Sequence, residues 1–329
     1  MIYFLLRRAA FSVILLFVVS LFTFLIFSVL PSDPAALTCG KNCSEETIEA
    51  NRVRLGYDKP ILEQYGRYMK GIFAGQSFGE GEIAVECPAP SFGYSYNEHK
   101  CVTELIFRSL PVTASLAIGA FVLWMGLGVG IGTLAAMKRG KWQDRLATTF
   151  SVIGVSLPTF FVGLLVILVF VIWTGLFPFP QYEGITVNPV KWFTALILPW
   201  STLAVVSAST YVRMTRNGLL EVMNEEFVRL GIAKGLGKKR LMVKYVLRAA
   251  LVPIVTIAGL DFAFLLGGAV ITESVFNLPG LGKLTIRAVV DSDLPILVST
   301  TLVSAAFIVL ANTLVDVLYG FLDPRVRVK

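Results

Sequence analysis

The chain has 329 residues, of which 55% are hydrophobic and only 16% charged, whereas soluble domains carry about 25% charged residues. Several long apolar runs contain almost no charged residues. This distribution excludes one large soluble domain and predicts a membrane protein. The formal net charge of +7 comes from basic residues in short segments between these runs, so it indicates membrane topology rather than nucleic-acid binding.

Six apolar runs are long enough to cross a bilayer, whose hydrocarbon core of about 30 Å needs about 20 helical residues. They cover residues 9–30, 113–136, 147–173, 192–212, 249–272 and 297–319. Pro158 lies inside the third run. The first run is longer than the apolar core of roughly 7–15 residues in a cleavable signal peptide, so we expect it to remain as a helix. The sequence therefore predicts an all-α membrane protein with six transmembrane helices.

The distribution of Lys and Arg predicts that both termini are cytoplasmic, because cytoplasmic segments carry an excess of basic residues. With the N-terminus inside, the inner segments hold 18 basic and five acidic residues. The outer segments then hold 11 basic and 15 acidic residues, leaving aside Asp261 and Asp316 within apolar runs. The longest outer segment, residues 31–110, follows the first helix.

All four cysteines lie in this outer segment, which predicts that disulfides pin it. They are Cys39, Cys43, Cys87 and Cys101. An even number of cysteines on an oxidising face predicts two disulfides with three possible pairings, of which we expect Cys39 with Cys43 and Cys87 with Cys101. A metal site is the alternative, but neither pair has the two-residue spacing usual for zinc. The only histidine, His99, is interpreted as a solvated loop residue.

Two amphipathic stretches lie in the same outer segment. The stretch SEETIEANRVRLG begins at Ser44, a residue type preferred at helix starts. The stretch PILEQYGRYMKGIFAG places Tyr65, Tyr68 and Ile72 at helical spacing. We therefore expect two helices in a small cap on the outer face.

The second apolar run contains four glycines at alternate positions. They are Gly126, Gly128, Gly130 and Gly132. Small residues four apart let helix backbones approach closely, so we predict that this part of the helix packs on another helix.

The inner segment between the fourth and fifth runs, residues 213–250, is basic and amphipathic. Apolar residues recur at helical intervals from Leu219 to Ala233, and a glycine follows at Gly235. This pattern predicts a short amphipathic helix at the inner membrane surface, a turn near Gly235, and a second amphipathic stretch from Arg240 into the fifth helix. A helix held by anionic lipid and a docking helix for a soluble partner both fit the pattern.

Asp261 lies near the centre of the fifth run. A carboxylate there costs about 2.5–3.5 kcal/mol on membrane-insertion scales, so it should face protein or water rather than lipid. It lines a pathway, or it accepts an interhelical hydrogen bond from a residue such as Thr, Ser or Arg. Glu273 lies near the outer end of the same run, where water can reach it, and is interpreted as a structural residue.

Eight stretches, in order along the chain, resemble the permease subunits of dipeptide and oligopeptide ABC importers, of the first-permease type. They are RRAAFSVILLFVVSLFTFLIF, RLGYDKPILEQYGRYMKGIFAGQSFG, LPVTASLAIGAFVL, AAMKRGKWQDRL, GVSLPTFFVG, YVRMTRNGLLEVMNEEFVRLGIAKGLG, ESVFNLPGLGKL and DVLYGFLDPRVR. The resemblance covers nearly the whole chain outside the cysteine-bearing insert. It implies a type I ABC importer permease fold in the bacterial inner membrane, forming a pore for peptides that a binding protein delivers.

In such permeases the loop before the penultimate helix begins with Glu-Ala-Ala, has a glycine four residues after the second alanine, and forms a coupling helix for the ATPase. By this resemblance Gly235 is that glycine, and Arg229, Leu230 and Gly231 occupy the opening positions, in a departure from Glu-Ala-Ala. The resemblance therefore implies an ATPase-coupling surface. Its residues are Glu226, Phe227, Arg229, Ala233, Lys234, Gly235 and Leu236. If Asp261 lines the pathway, its expected contact is the amino terminus of a peptide, and the interhelical hydrogen bond stays the alternative.

No stretch fits the phosphate-binding pattern G-x-x-x-x-G-K-[ST], since residues 278–284 have Gly-Lys but lack the first glycine and the hydroxyl residue. We therefore expect no enzyme activity, cofactor or metal in this chain, with ATP and Mg bound by partner subunits. The implied partners are a second homologous permease, two ATP-binding subunits, an extracytoplasmic binding protein and the bilayer, with no nucleic acid. We predict that the chain divides into three parts. These are the N-terminal segment with the first transmembrane helix at residues 1–30, an extracytoplasmic cap at 31–110, and a five-helix core at 111–329.

Two other functional classes fit less well. A secondary transporter driven by an ion gradient would show several intramembrane acids or histidines and a repeated half. A membrane enzyme would need converging nucleophiles, acids or metal ligands. An ABC importer for nickel or another small solute remains a further alternative, because the residues do not fix the substrate.

Overall fold

The computed structural model describes residues 2–29, 35, 44–55, 58–78 and 84–322, and these residues are mostly helical. The helices are α1 Ile2–Val29, α2 Glu45–Leu55, α3 Ile61–Ala74, α4 Val102–Met137, α5 Trp142–Ser156, α6 Thr159–Ile167, α7 Pro189–Val222, α8 Glu226–Ala233, α9 Lys238–Leu241, α10 Leu247–Leu266, α11 Val270–Val275, α12 Leu281–Val290 and α13 Leu294–Leu322. Two π-helical segments, Leu168–Trp173 and Met242–Val246, continue α6 and α9. Two short antiparallel hairpins pair β1 Gln76–Phe78 with β2 Val85–Cys87, and β3 Tyr94–Ser95 with β4 Lys100–Cys101. These hairpins are the departure from the all-α prediction.

Among the described residues, five helices are long and apolar enough to cross a membrane, and α5 with α6 makes a sixth if that pair is one span. The pair is bent by 102°. Pro158 lies at the bend, where it holds the preceding Leu157 in an extended conformation (φ −90°, ψ 127°) and prevents a continuous helix. The apolar run at 147–173 is therefore two helices, and the number of spans is five or six.

The fifth apolar run is also interrupted. Helix α10 ends at Leu266, and Gly268 follows with a φ of 123°, a region that favours glycine. A Cβ atom on Gly268 would lie only 2.7 Å from the backbone nitrogen of Gly282, so no other residue fits there. A separate helix, α11, then buries Glu273 completely. The expectation that water reaches Glu273 is therefore wrong, whereas its complete burial agrees with its interpretation as a structural residue.

Two of the four glycines in the predicted packing region let α4 and α7 approach closely. A Cβ on Gly128 would lie 2.4 Å from the Cβ of Tyr211, and one on Gly132 would lie 2.6 Å from the Cβ of Thr215. Gly126 and Gly130 have no such neighbour within 4 Å. The packing prediction is therefore confirmed for one pair, which shares a helix face at a spacing of four, and wrong for the other.

The chain forms two compact units, each with a buried apolar core. The first comprises Met1–Thr113, Leu266–Val270 and Pro279–Thr313, and the second comprises Ala114–Leu265, Ile271–Leu278 and Leu314–Lys329. The core cluster of the first is Val102, Leu105, Ile106, Leu281, Ala288, Ile296 and Leu297. One cluster of the second is Ala136, Leu219, Val228, Leu241, Val246 and Ala250. The predicted segments 1–30, 31–110 and 111–329 were defined by their expected positions relative to the membrane, whereas the two compact units are defined by contacts within the chain. The three-segment division therefore stays a prediction.

The two helices predicted in the outer segment are present. Helix α2 begins after Ser44, whose Oγ accepts a hydrogen bond from the Thr47 backbone N–H at 3.3 Å. Helix α3 packs against α1, where the hydroxyls of Ser20 and Tyr65 are 2.6 Å apart and the rings of Phe24 and Tyr65 are 5.4 Å apart. The outer segment therefore builds helices that rest on the first membrane helix.

A disulfide joins Cys87 at the end of β2 to Cys101 at the end of β4, with 5.8 Å between their Cα atoms. This bond confirms one of the two predicted pairs. Cys39 and Cys43 lie outside the described residues, so the other pair stays a prediction. His99 is exposed in the turn before β4 and has a φ of 52°, in agreement with a solvated loop residue.

Asp293 anchors the β3–β4 hairpin to the start of α13. Its side chain is 5% exposed, accepts a hydrogen bond from the hydroxyl of Ser95 at 2.5 Å, and accepts one from the Ile296 backbone N–H at 3.3 Å. Burial raises the pKa of the Asp293 carboxyl, and the negative charges of Asp291 and Glu98 add to the effect, while both hydrogen bonds oppose it. The folded protein therefore holds the Asp293 proton more tightly than the unfolded chain does.

We expect Asp293→Asn to be at least as stable as the wild type at pH 7. The protonated Asp293 carboxyl contributes its full stability below the ordinary Asp pKa of about 3.9. This contribution falls as the pH rises through the raised pKa of the folded state, because burial disfavours ionisation there. The neutral amide avoids that cost and still caps α13, whereas Asp293→Ala should lose about 0.5–2 kcal/mol of capping. Thermal unfolding in detergent at pH 4 and pH 7 measures both. Equal destabilisation by Asn and Ala would contradict this account.

Candidate functional site

Helix α8 is anchored to the rest of the second unit by two residues on one face. Val228 is 4% exposed and Gly231 is buried. A Cβ on Gly231 would lie 2.8 Å from Cδ1 of Leu241, so a side chain there would displace the end of the Leu241 side chain. Val228 joins the core cluster that contains Leu219 and Ala250, on the flanking membrane helices. The position of α8 is therefore fixed by α7 and α10.

The rest of α8, on both sides of the face that Val228 and Gly231 anchor, exposes apolar side chains. Phe227 is 42% exposed, Leu230 is 61% exposed and Ile232 is 63% exposed. Glu226 and Arg229 are exposed among them. Exposed apolar side chains within a polar, basic segment are typical of a surface that binds a protein or a membrane.

A tight turn ends α8. The Gly235 N–H donates to the Ile232 carbonyl at 2.9 Å, and the Leu236 N–H donates to the Gly231 carbonyl at 3.1 Å. This pair of bonds is a Schellman motif with glycine at its left-handed position, where Gly235 has a φ of 75°. A Cβ on Gly235 would meet nothing within 4 Å, so the backbone conformation, rather than lack of space, requires glycine.

The structure brings the predicted coupling residues together on α8 and its turn, where all except Leu236 are exposed. These exposed residues are Glu226, Phe227, Arg229, Ala233, Lys234 and Gly235. Leu236 is half-buried and contacts the base of the helix near Gly231. These residues therefore share one short segment, and their assignment to ATPase coupling is a proposal.

Sequence reasoning missed which apolar residues of this segment are exposed. It took one continuous helical period from Leu219 to Ala233, whereas the chain turns at Asn224 and Glu225 and starts a new helix. The turn resets the helical phase, so Val228 is buried and Leu230 is exposed. The pair of polar residues at the turn was the signal for this break.

Asp261 on α10 accepts a hydrogen bond from the hydroxyl of Tyr211 on α7 at 2.6 Å. Tyr211 is 1% exposed, and its ring stacks on buried Trp124 with 6.3 Å between centroids. The carboxylate therefore has an interhelical donor, but the donor is a tyrosine rather than the Thr, Ser or Arg that the sequence suggested. Tyrosine was missed because it lies in an apolar run 50 residues earlier.

Asp261 itself is exposed on the surface of the second unit. Ile257, which is 39% exposed, and Phe264, which is 65% exposed, lie one turn to either side of it on α10. A carboxylate in a membrane helix avoids lipid, so this face of α10 belongs against another protein or an aqueous pathway. The geometry therefore leaves the pathway interpretation of Asp261 open to test.

A second carboxylate in this unit pairs with an arginine. Arg216 on α7 donates to Asp144 on α5 through Nη2 at 2.9 Å and through Nε at 2.5 Å, and the Gly140 N–H also donates to Asp144 at 2.9 Å. Asp144 is 5% exposed, so these bonds replace its hydration. This pair fixes α5 against α7 and was not anticipated, because an acid and a base 72 residues apart give no local signal.

Within the described part of the chain no group of three or more His, Cys, Asp or Glu side chains could hold a metal ion. The coupling and pathway residues singled out from the sequence lie on the exposed surface of α8, on its turn and on the Asp261 face of α10.

Two family profiles match the chain. The profile described as binding-protein-dependent transport system inner membrane component covers residues 128–328, and the profile of the N-terminal region of such components covers residues 1–117. A putative peptide transport system permease protein of Brucella abortus is 36% identical over 322 residues, which are 98% of each chain. The glutathione transport system permease protein GsiC of Escherichia coli K12 is 35% identical over 314 residues, which are 95% of each chain.

A solved structure has a similar fold. The inward-facing MetNI methionine ABC transporter superimposes with a TM-score of 0.53 and 19% sequence identity. The match covers 67% of this chain and 97% of that chain. At this identity the likeness concerns the fold alone.

Proposed function

This chain belongs to the family of binding-protein-dependent transport system inner membrane components, and we propose that the importer it serves carries di- and oligopeptides. The chain is a multi-pass, pore-forming permease of an ABC importer, and ATP is hydrolysed by separate subunits. The permease therefore works with ATPase and binding-protein partners. Relatives named for peptide and glutathione transport, which cover nearly all of both chains, support a peptide substrate.

The exposed surface of α8 carries the mechanistic part of the proposal. We assign it, with the Schellman turn at Gly235, to docking in a cleft of the ATPase. Phe227, Leu230 and Ile232 supply apolar contact area, while Val228 and Gly231 transmit displacement of α8 to the membrane helices on either side. Closure of the ATPases on ATP then moves α8, and the free energy of hydrolysis enters through this loop.

The proposed assembly has two six-helix permeases and two ATPases, with both termini of this chain in the cytoplasm. The excess of Lys and Arg in the segments containing α8 and both termini supports this orientation. The disulfide between Cys87 and Cys101 supports it too, because disulfides persist on oxidising faces. Six spans require that α5 and α6 cross the bilayer together despite their bend.

Asp261 is the proposed pathway residue. Tyr211 orients its carboxylate, and the exposed side of α10 leaves the carboxylate open to a cation. A peptide's amino terminus is such a cation, and a hydrogen bond to a charged group contributes about 1.5–3 kcal/mol. The site would thus bind the amino terminus of a peptide without any chemical reaction. ATP and Mg would be bound by the separate ATPase subunits.

Purification of the chain from detergent-solubilised membrane, followed by ATPase measurements with candidate binding proteins and peptides, tests the proposal. We expect a second permease and ATPases to co-purify, with hydrolysis stimulated by peptide-loaded binding protein. Stimulation by nickel or another small solute instead would retain the importer and replace the substrate. A chain that purifies alone and moves solute on an ion gradient would refute the proposal in favour of a secondary transporter.

A further inference from the structure

A cationic pocket lies beside the β3–β4 hairpin, within the first compact unit. The cavity has a volume of about 320 Å³. Its charged lining residues are Glu98, Lys100, Arg108, Lys283 and Arg287. Four positive charges against one negative charge give the pocket an excess that favours an anion.

Only part of this positive charge is balanced by the pocket itself. Arg287 Nη1 lies 3.2 Å from Glu98 Oε1, and Lys100 Nζ lies 3.5 Å from Glu104 Oε1 just outside the lining. Arg108 is exposed, and the structure records no acidic partner for it among the residues it describes. Among the residues that line the cavity, one carboxylate therefore faces four cations.

The frame of the pocket is rigid. The disulfide between Cys87 and Cys101 ends the strand that carries Lys100, and the buried Ser95–Asp293 hydrogen bond fixes the hairpin to the start of α13. The hairpin is further tied by the bond from the Asn97 side chain to the Asp291 carbonyl at 3.0 Å. A rigid frame holds the cations in place before a partner arrives, which lowers the entropy lost on binding.

The position of α4 places the pocket at and beyond the outer edge of the lipid headgroups. The second apolar run of the sequence begins at residue 113, inside α4, which runs from Val102 to Met137. Arg108 lies five residues before that run and so about 7.5 Å outside the hydrocarbon core at 1.5 Å per residue, where a headgroup layer of about 5–8 Å ends. Lys100 precedes α4 and is farther along the chain from the core. A soluble partner therefore reaches this pocket from the outer side.

We propose that the pocket formed by Lys100, Arg108, Lys283 and Arg287 receives an acidic side chain of the extracytoplasmic binding protein. This inference rests on the proposed function, which supplies the binding protein and places it on the extracytoplasmic side of the membrane. The pocket is open to solvent, so a charged contact there would steer the association of the two proteins. We therefore expect it to affect the affinity of docking and not the ATPase cycle.

The test uses the complete importer in lipid nanodiscs and a peptide-loaded binding protein that stimulates the wild-type complex. We expect Arg108→Glu to raise the binding-protein concentration for half-maximal stimulation about tenfold at 50 mM salt, and much less at 500 mM salt, where charges are screened within about 4 Å. The basal ATPase rate should not change. Lys59→Glu is the matched control, because Lys59 is a basic residue of the same outer segment outside the pocket.

Each outcome has a distinct meaning. A wild-type response from Arg108→Glu and from Lys283→Glu overturns this inference while leaving the importer intact. An effect that depends on phosphatidylglycerol content, with unchanged binding-protein affinity, overturns it in favour of a lipid site. Absence of stimulation in the wild-type complex by any binding protein is a failure of the proposed function itself. Restoration of Arg108→Glu by an acid-to-lysine change in the binding protein establishes the contact.

Discussion

Gly235→Val should uncouple ATP hydrolysis from uptake while leaving membrane insertion intact. Gly235 has a φ of 75° in the Schellman turn after α8, and a left-handed conformation costs a residue with a Cβ about 1–2 kcal/mol. That cost lowers the population of the docking-competent turn about 5- to 30-fold. Peptide uptake into vesicles, measured together with ATP hydrolysis by the same complex, should show uptake falling by such a factor with no matching fall in hydrolysis.

Two variants control this experiment. Gly235→Asn should retain most of the uptake, because asparagine tolerates the left-handed region. Gly237→Ala should behave as the wild type, since Gly237 has an extended backbone (φ −60°, ψ 139°) and a Cβ there would meet nothing within 4 Å. Normal uptake and stimulated hydrolysis in Gly235→Val would show that the coupling turn lies elsewhere.

Asp261→Asn should weaken transport of peptides that have a free amino terminus. The substitution removes the charge but keeps an acceptor for the hydroxyl of Tyr211, so the packing of α7 and α10 is preserved. Loss of a hydrogen bond to a charged group, about 1.5–3 kcal/mol, corresponds to a rise in KM of about tenfold to a hundredfold. Uptake kinetics with a peptide and its N-acetylated form measure this effect.

The acetylated peptide separates a pathway role from a structural one. It lacks the ammonium group, so Asp261→Asn and the wild type should transport it equally. Tyr211→Phe keeps the carboxylate and removes its donor, so it should retain the preference for a free amino terminus. An equal loss for both peptides in Asp261→Asn would assign Asp261 to helix packing alone.

The membrane helices and the segment around α8 could be predicted because they follow from local rules. Apolar length identifies a span, and a glycine after an amphipathic stretch identifies a helix end, as at Gly235. Helix interruptions were harder, because an apolar composition continues across them. The bend at Pro158 and the break at Gly268 lie inside apolar runs and depend on backbone conformation rather than on hydropathy.

The polar contacts of the site were beyond prediction from one sequence for a different reason. The Tyr211–Asp261 and Arg216–Asp144 pairs join residues 50 and 72 positions apart, so their partners are set by how α7 packs against its neighbours. Even so, the cost of a carboxylate among apolar residues indicated that Asp261 needed such a partner. Composition thus predicts that a partner exists, and only the packing shows which residue it is.

If α8 docks on the ATPase as proposed, its exposed surface should also set how long an unassembled subunit survives. Phe227, Leu230 and Ile232 have no cover within the described chain, so before docking they would be exposed apolar side chains of the kind that chaperones and proteases recognise. A permease made in excess of its ATPase would keep this patch open and be degraded. The amount of permease in the membrane would then follow the amount of ATPase, with no need for a separate control of its synthesis.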